Sequence, residues 1–222
     1  MGAQFGAAAL PLGMPSLGPF LRGEYHLSLA WLGALLAVPT AGLAAASFVW
    51  GRLSDRVGER RVIVLGMTVA AALLAAASAF PADSAAFVAL VFGAGAAGAA
   101  APAASGRAVI GWFPVNERGL ALSLRHTAPM AGGAAAAAVL PAIAQAGGLR
   151  AACLALAAFE LGGAVFAAWL IAPPGPAVAA VHHRAGPPLT RDRLLMTLVV
   201  AGGLVIVAQG VLTRFLPDYL HS

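Results

Sequence analysis

The sequence predicts an all-α, polytopic membrane protein: six transmembrane helices forming one bundle, a linker, and then one further helix. Three observations carry this. Of 222 residues, 61% are apolar and only 9% charged, against about 25% charged in ordinary soluble domains. The apolar residues gather into charge-poor windows of about 20 residues, the length needed to cross about 30 Å of hydrocarbon. The segments between those windows alternate between arginine-rich and nearly neutral, which is how membrane topology is written into a chain.

Seven windows follow in order. Span 1 occupies residues 1–21, closed by Arg22 and Glu24, and span 2 residues 28–50. Span 3 covers 62–80, where Pro81, Ala82 and Asp83 supply a turn, and span 4 covers 84–110. Span 5 is placed at 120–143, span 6 at 151–172 and span 7 at 194–213. Residues 173–193 hold Pro173, Pro174, Pro176, Pro187, Pro188, His182 and His183 and read as a flexible linker. The expected organisation is therefore a bundle over 1–172, a cytoplasmic linker over 173–193, and a seventh span with its outer end over 194–222.

All thirteen basic residues are arginine. Ten of them, Arg52, Arg56, Arg60, Arg61, Arg107, Arg118, Arg125, Arg184, Arg191 and Arg193, cluster in or beside the loops 2–3, 4–5 and 6–7. Only Arg22, Arg150 and Arg214 fall on the other side. Loops rich in arginine stay in the cytoplasm, so the N-terminus is expected to be cytoplasmic. The net charge of +5 is thus a topology signal and not a nucleic-acid groove. An arginine-only, alanine-rich composition fits a GC-rich genome and hence a bacterial cell membrane. The lone Cys153 can form no internal disulfide.

The segment joining spans 2 and 3 reads Gly51-Arg-Leu-Ser-Asp55-Arg56-Val-Gly58-Glu-Arg60-Arg61. Gly51 is expected to permit close helix approach and Gly58 a tight turn. Asp55 can pair with nearby arginines or cap a helix N-terminus, a latch that breaks when helices rock. With a glycine, an acid, a base, a second glycine and two bases at their expected spacing, this segment resembles the signature of the major facilitator superfamily. Trp112-Phe113-Pro114 with Glu117-Arg118-Gly119 looks like that family's connection between spans 4 and 5. In span 5, Ala128-Pro129-Met-Ala-Gly132-Gly133 is similar to its glycine-proline hinge motif, with alanine replacing the first glycine. Gln209 and Phe215-Leu-Pro217-Asp-Tyr219-Leu220 look like its seventh span and outer end.

The resemblance implies a permease moving a small solute by alternating access between two six-helix bundles, with no cofactor and no metal. It also implies that this chain stops after the seventh of twelve spans. It is then a fragment completed by other sequence or by a second polypeptide; the competing expectation is a non-transporting relic or assembly subunit. Many proton-coupled exporters of the family carry an arginine in span 4, where this chain has Ala89.

A charge inside hydrocarbon is costly and usually functional. Glu160, followed by Gly162 and Gly163, is the acid placed well within a span, and can bind a proton or cation or be a neutral structural hydrogen-bonding group. Arg125 and His126 near the start of span 5 either snorkel to the headgroups or face the cavity and meet an anion. Gln4 and Gln209 are candidate uncharged substrate contacts. Enzyme classes find no support: the chain has no Gly-x-Ser-x-Gly elbow, His-Glu-x-x-His or phosphate-binding Gly-x4-Gly-Lys. It also has no lysine, which a retinal Schiff base requires.

Overall fold

The computed structural model describes residues 1–105 and 116–170, with the single helical positions 197 and 201. The linker 173–193, most of the expected seventh span, Arg107, Trp112, Phe113, Pro114 and Gln209 lie outside the described residues. The chain divides into two units, Met1–Val178 and Ala179–Ser222; the first holds every element below.

Span 1 is not one regular helix. It runs as α1 (Gly2–Ala8), a wide π turn over Ala9–Gly13, a tight 3-10 turn over Met14–Leu17, and α2 (Gly18–Tyr25). Pro11, Pro15 and Pro19 recur every fourth residue, and each removes a backbone donor from the helical ladder. His26 ends α2 in the left-handed region at φ 51. Ser28 then caps α3 (Leu29–Val57), its Oγ accepting from the Trp31 amide at 3.2 Å. Such a cap satisfies one of the amides that the first helical turn leaves without a partner.

A difference from the expected boundaries follows. Residues 51–57, read as loop, form the last two turns of α3, and α4 (Glu59–Ala77) starts one residue after Gly58. Two long helices therefore meet at a single glycine with φ 92, a backbone that L side chains rarely adopt. Charged residues at a helix end keep their heads in water, so charge marks where hydrocarbon stops and not where helix stops. The turn expected at 81–83 is present, and Ser84 caps α5 (Ala85–Gly98) by accepting from the Phe87 amide at 3.1 Å. After a turn at Ala99 the helix continues to Ser105.

The last element, α6, extends over Arg118–Leu170 but breaks at Gly148, with φ 69 and ψ −170. Its contacts show two limbs running in opposite directions. In residues 118–147, Arg125 reaches Gln4 and Ala136 lies by Gly13, so this limb is parallel to span 1. In residues 149–170, Phe159 stacks on Phe5 with ring centroids 6.1 Å apart and Phe166 lies by Gly2, so this limb is antiparallel to it. Spans 5 and 6 are thus separate crossings joined by a one-residue break. All described elements are helical.

Lipid tails are as apolar as leucine, so burial alone cannot hold helices together in a bilayer, and close packing at small residues must do it. A Cβ at Gly42 would strike the Phe92 carbonyl, at Gly95 the Pro39 carbonyl, at Gly66 the Ala100 methyl, and at Gly132 the Phe5 carbonyl. These four glycines bring α3 to α5, α4 to α5, and the first limb of α6 to α1. Around them Leu10, Leu17, Leu35, Leu74, Phe87 and Leu140 fill the interior. Phe48, Val165 and Trp169 point outward, as lipid-facing side chains should.

Candidate functional site

Of the three buried polar side chains among the described residues, Ser54 lies near the end of α3, and Gln4 and Glu160 mark two places along α5. The first is built from three elements that are far apart in sequence. Arg125, on the first limb of α6, turns inward: its Nε donates to Ser105 Oγ at 3.1 Å and its Nη2 to the Pro102 carbonyl at 3.1 Å. Gln4, on α1, is 5% exposed. In the amide orientation that satisfies both its ends, its oxygen accepts from Arg125 Nε at 3.1 Å and from Ser105 Oγ at 2.7 Å, while its nitrogen donates to the Arg125 carbonyl at 2.8 Å. All these partners are neutral. They position the guanidinium without cancelling its charge, and a charged donor in a low-dielectric interior is where an anion binds most strongly.

Two residues proposed from sequence, Gln4 and Arg125, are therefore brought together, and Arg125 is not stretched toward the headgroups. His126 is exposed on a different face of the same helix and takes no part. Ser105 escaped the sequence reading, although it is the one polar side chain between residues 85 and 105, and that isolation was the available signal.

The second place is Glu160, on the second limb of α6. It is 1% exposed, and neither carboxyl oxygen has a hydrogen-bond partner among the described residues. Its Oε1 lies 3.3 Å from where a Cβ on Gly98 of α5 would sit, so the absent side chain of Gly98 makes the room that the carboxyl group occupies. The hydrogen bond to a neighbouring helix expected of a purely structural acid is missing among these residues.

The signature segment is placed as follows. Asp55 and Arg56 are exposed on the last turn of α3, and Arg61 is exposed at the start of α4. Arg52 lies over the Phe48 ring, 5.5 Å from its centroid. Arg60 crosses to the second limb of α6 and donates from Nη2 to the Ala168 carbonyl, one of the last carbonyls of that helix. The close approach expected at Gly51 is not seen among the described residues: no atom of another element there lies within 4 Å of a Cβ placed on it. Close approach is carried by Gly42 instead. In the span 5 motif, Gly132 packs on Phe5 and Gly133 on Leu12, with Pro129 one turn before them; the motif is where span 5 meets span 1.

A family model described as the Major Facilitator Superfamily matches residues 5–222. The chain belongs to the Major Facilitator Superfamily. Members of this superfamily are transporters. Among the described residues four helices are long and apolar enough to cross a membrane, and one of them is doubled at Gly148, so it is a multi-pass membrane protein. It is 39% identical over 135 residues to an uncharacterized MFS-type transporter of Mycobacterium tuberculosis, covering 61% of this chain and 30% of that protein. It is 30% identical over 145 residues to a protein of Cupriavidus necator named as a probable sulfoacetate transporter, covering 65% of this chain and 33% of that protein. Each relative is thus matched over about a third of its own length.

Proposed function

We propose that this chain supplies the N-terminal side of a permease that moves a small organic anion across a bacterial cell membrane by alternating access. The bundle is assigned to residues 1–172, the linker to 173–193 and the start of the opposite bundle to 194–222. The remaining spans come from further sequence or from a second polypeptide. The gate is assigned to the junction of α3 and α4 around Gly58, where Asp55, Arg56, Arg60 and Arg61 gather.

One observation carries the anion: the inward guanidinium of Arg125, held by Gln4, Ser105 and the Pro102 carbonyl, all of them neutral. A cation would meet like charge there, and a neutral solute would leave that charge uncompensated. The relative named for sulfoacetate, a small molecule with a carboxylate and a sulfonate, supports the same class.

Isothermal titration of the purified chain with sulfoacetate tests the assignment. Arg125→Gln keeps a hydrogen-bonding side chain but removes the charge, and is expected to weaken binding by at least about tenfold, equivalent to about 1.4 kcal/mol. Equal affinities for wild type and variant would overturn the anion reading. Uptake into liposomes by the chain completed with a C-terminal bundle separates a permease from a subunit that only assembles.

A further inference from the structure

A groove of about 750 Å³ runs between the first turns of α4 and the second limb of α6 and shares no residue with the Arg125 site. We propose that it holds one anionic phospholipid of the surrounding bilayer, with the phosphate against Arg60 and Arg61 and an acyl chain along Val64, Leu65 and Thr68. This is independent of the anion reading, since it concerns a surface that faces lipid.

Three observations lead there. The first is the chemistry of the walls. Beyond its charged end the groove is lined by Val57, Val64, Leu65, Thr68 and Ala168, and Leu65 is 53% exposed. Ordered water needs several polar partners, which such walls do not supply; a hydrocarbon chain needs none.

The second is length. Thr68 follows Glu59 by nine residues, about 14 Å along a helix. Glu59, Arg60 and Arg61 begin α4, at the level where hydrocarbon stops, so the groove descends to near the middle of a core about 30 Å thick. A soluble anion would use the charged end alone and a neutral apolar molecule the walls alone. An amphiphile with an anionic head occupies both.

The third is charge. Arg61 is exposed, and no hydrogen bond or ion pair holds it among the described residues. Arg60 is pinned across the groove by the bond from its Nη2 to the Ala168 carbonyl, which uses one of the five N–H groups of a guanidinium and keeps the charge at the rim. Glu59 also borders the groove but has an interaction of its own, so two cations face one acid and the balance is positive. Guanidinium groups hold phosphate oxygens by paired, charge-assisted hydrogen bonds, and basic side chains beside a membrane surface select anionic lipids. Because Arg60 spans from α4 to α6, a phosphate on it ties the second limb of α6 to the α3–α4 junction.

The test uses the full chain in phosphatidylcholine nanodiscs doped with a lipid that carries a photoreactive group in its acyl chain and either a phosphatidylglycerol or a phosphatidylcholine head. Crosslinks are mapped by peptide mass spectrometry. The phosphatidylglycerol probe is expected to label residues 64–68 and 168, with each arginine accounting for about a fivefold preference over phosphatidylcholine. Arg61→Gln should lower that labelling by the same factor, and Arg61→Gln joined to Arg60→Gln should bring it down to the phosphatidylcholine level. Leu65→Trp, which fills the groove and keeps both arginines, should remove labelling at 68 and 168 by either probe. Equal labelling of the wild type by the two probes overturns the proposal, as does phosphatidylglycerol labelling that survives the loss of both arginines. Displacement of the label by inorganic phosphate would make the charged end a site for a free anion and overturn it too, and an unlabelled groove with both probes would leave it to a protein segment. Should the double variant fail to fold, Arg61→Gln alone decides, because Arg61 supports no described contact.

Discussion

Glycine residues at similar places in the sequence carry unrelated burdens, and this decides what a single methyl group costs. Gly132 faces the Phe5 backbone so closely that an added Cβ would overlap the carbonyl oxygen, while Gly51 faces no described atom within 4 Å. Backbone atoms cannot rotate away as a side chain can. Gly132→Ala is therefore expected to lower stability by about 1–3 kcal/mol, the usual cost of overpacking a tight contact. Gly51→Ala should be neutral or slightly stabilising, since alanine is favoured over glycine in a helix by up to about 1 kcal/mol. Thermal unfolding of both variants in detergent, followed by tryptophan fluorescence, checks the contrast, and equal losses would contradict it. The reverse ordering would follow from the sequence alone, where Gly51 heads a complete signature and Gly132 sits in a looser one. A motif reports that a residue type is needed; it does not report which neighbour needs it.

At the level of helices, the junction of α3 and α4 shows what hydropathy can and cannot reveal. The crossings themselves were legible because each needs about 20 mostly apolar residues to traverse the hydrocarbon, and the turn at 81–83 because Pro81 cannot continue a helix. The helical state of residues 51–57 was hidden, since an arginine-rich stretch looks alike as loop or as helix end. Likewise the polar cluster of Gln4, Ser105 and Arg125 was legible only as separate residues: positions 4, 105 and 125 meet through packing that no local pattern encodes. With one residue joining two helices, Gly58 must hold its left-handed backbone alone. Gly58→Ala forces a side chain to φ 92, ψ 150, a backbone region almost confined to glycine, and the strain, about 1–3 kcal/mol, falls wholly on that junction. Hydrogen exchange is expected to rise locally at the end of α3 and the start of α4, with the amides around Gly132 unchanged. A uniform rise across the bundle would mean that the junction is not an independent element.

For the molecule as a whole, orientation is argued from charge and tested by chemistry. Of the described arginines, Arg52, Arg56, Arg60, Arg61, Arg118 and Arg125 lie toward the α3–α4 junction and Arg22 and Arg150 toward the other end, and moving the larger group through the membrane would cost far more than leaving it in the cytoplasm. The alternating directions of the helices then place 81–83 on the opposite face. Both ends are open to modification, because Arg56 and Asp83 are exposed, whereas the native thiol of Cys153 is only 2% exposed and stays silent. A membrane-impermeant maleimide applied to intact cells should therefore label Asp83→Cys and leave both Arg56→Cys and the unmodified chain unlabelled. After permeabilisation Arg56→Cys should react as well. Labelling of Arg56→Cys in intact cells would invert the topology, and with it the side from which α3 and α4 gate the Arg125 site.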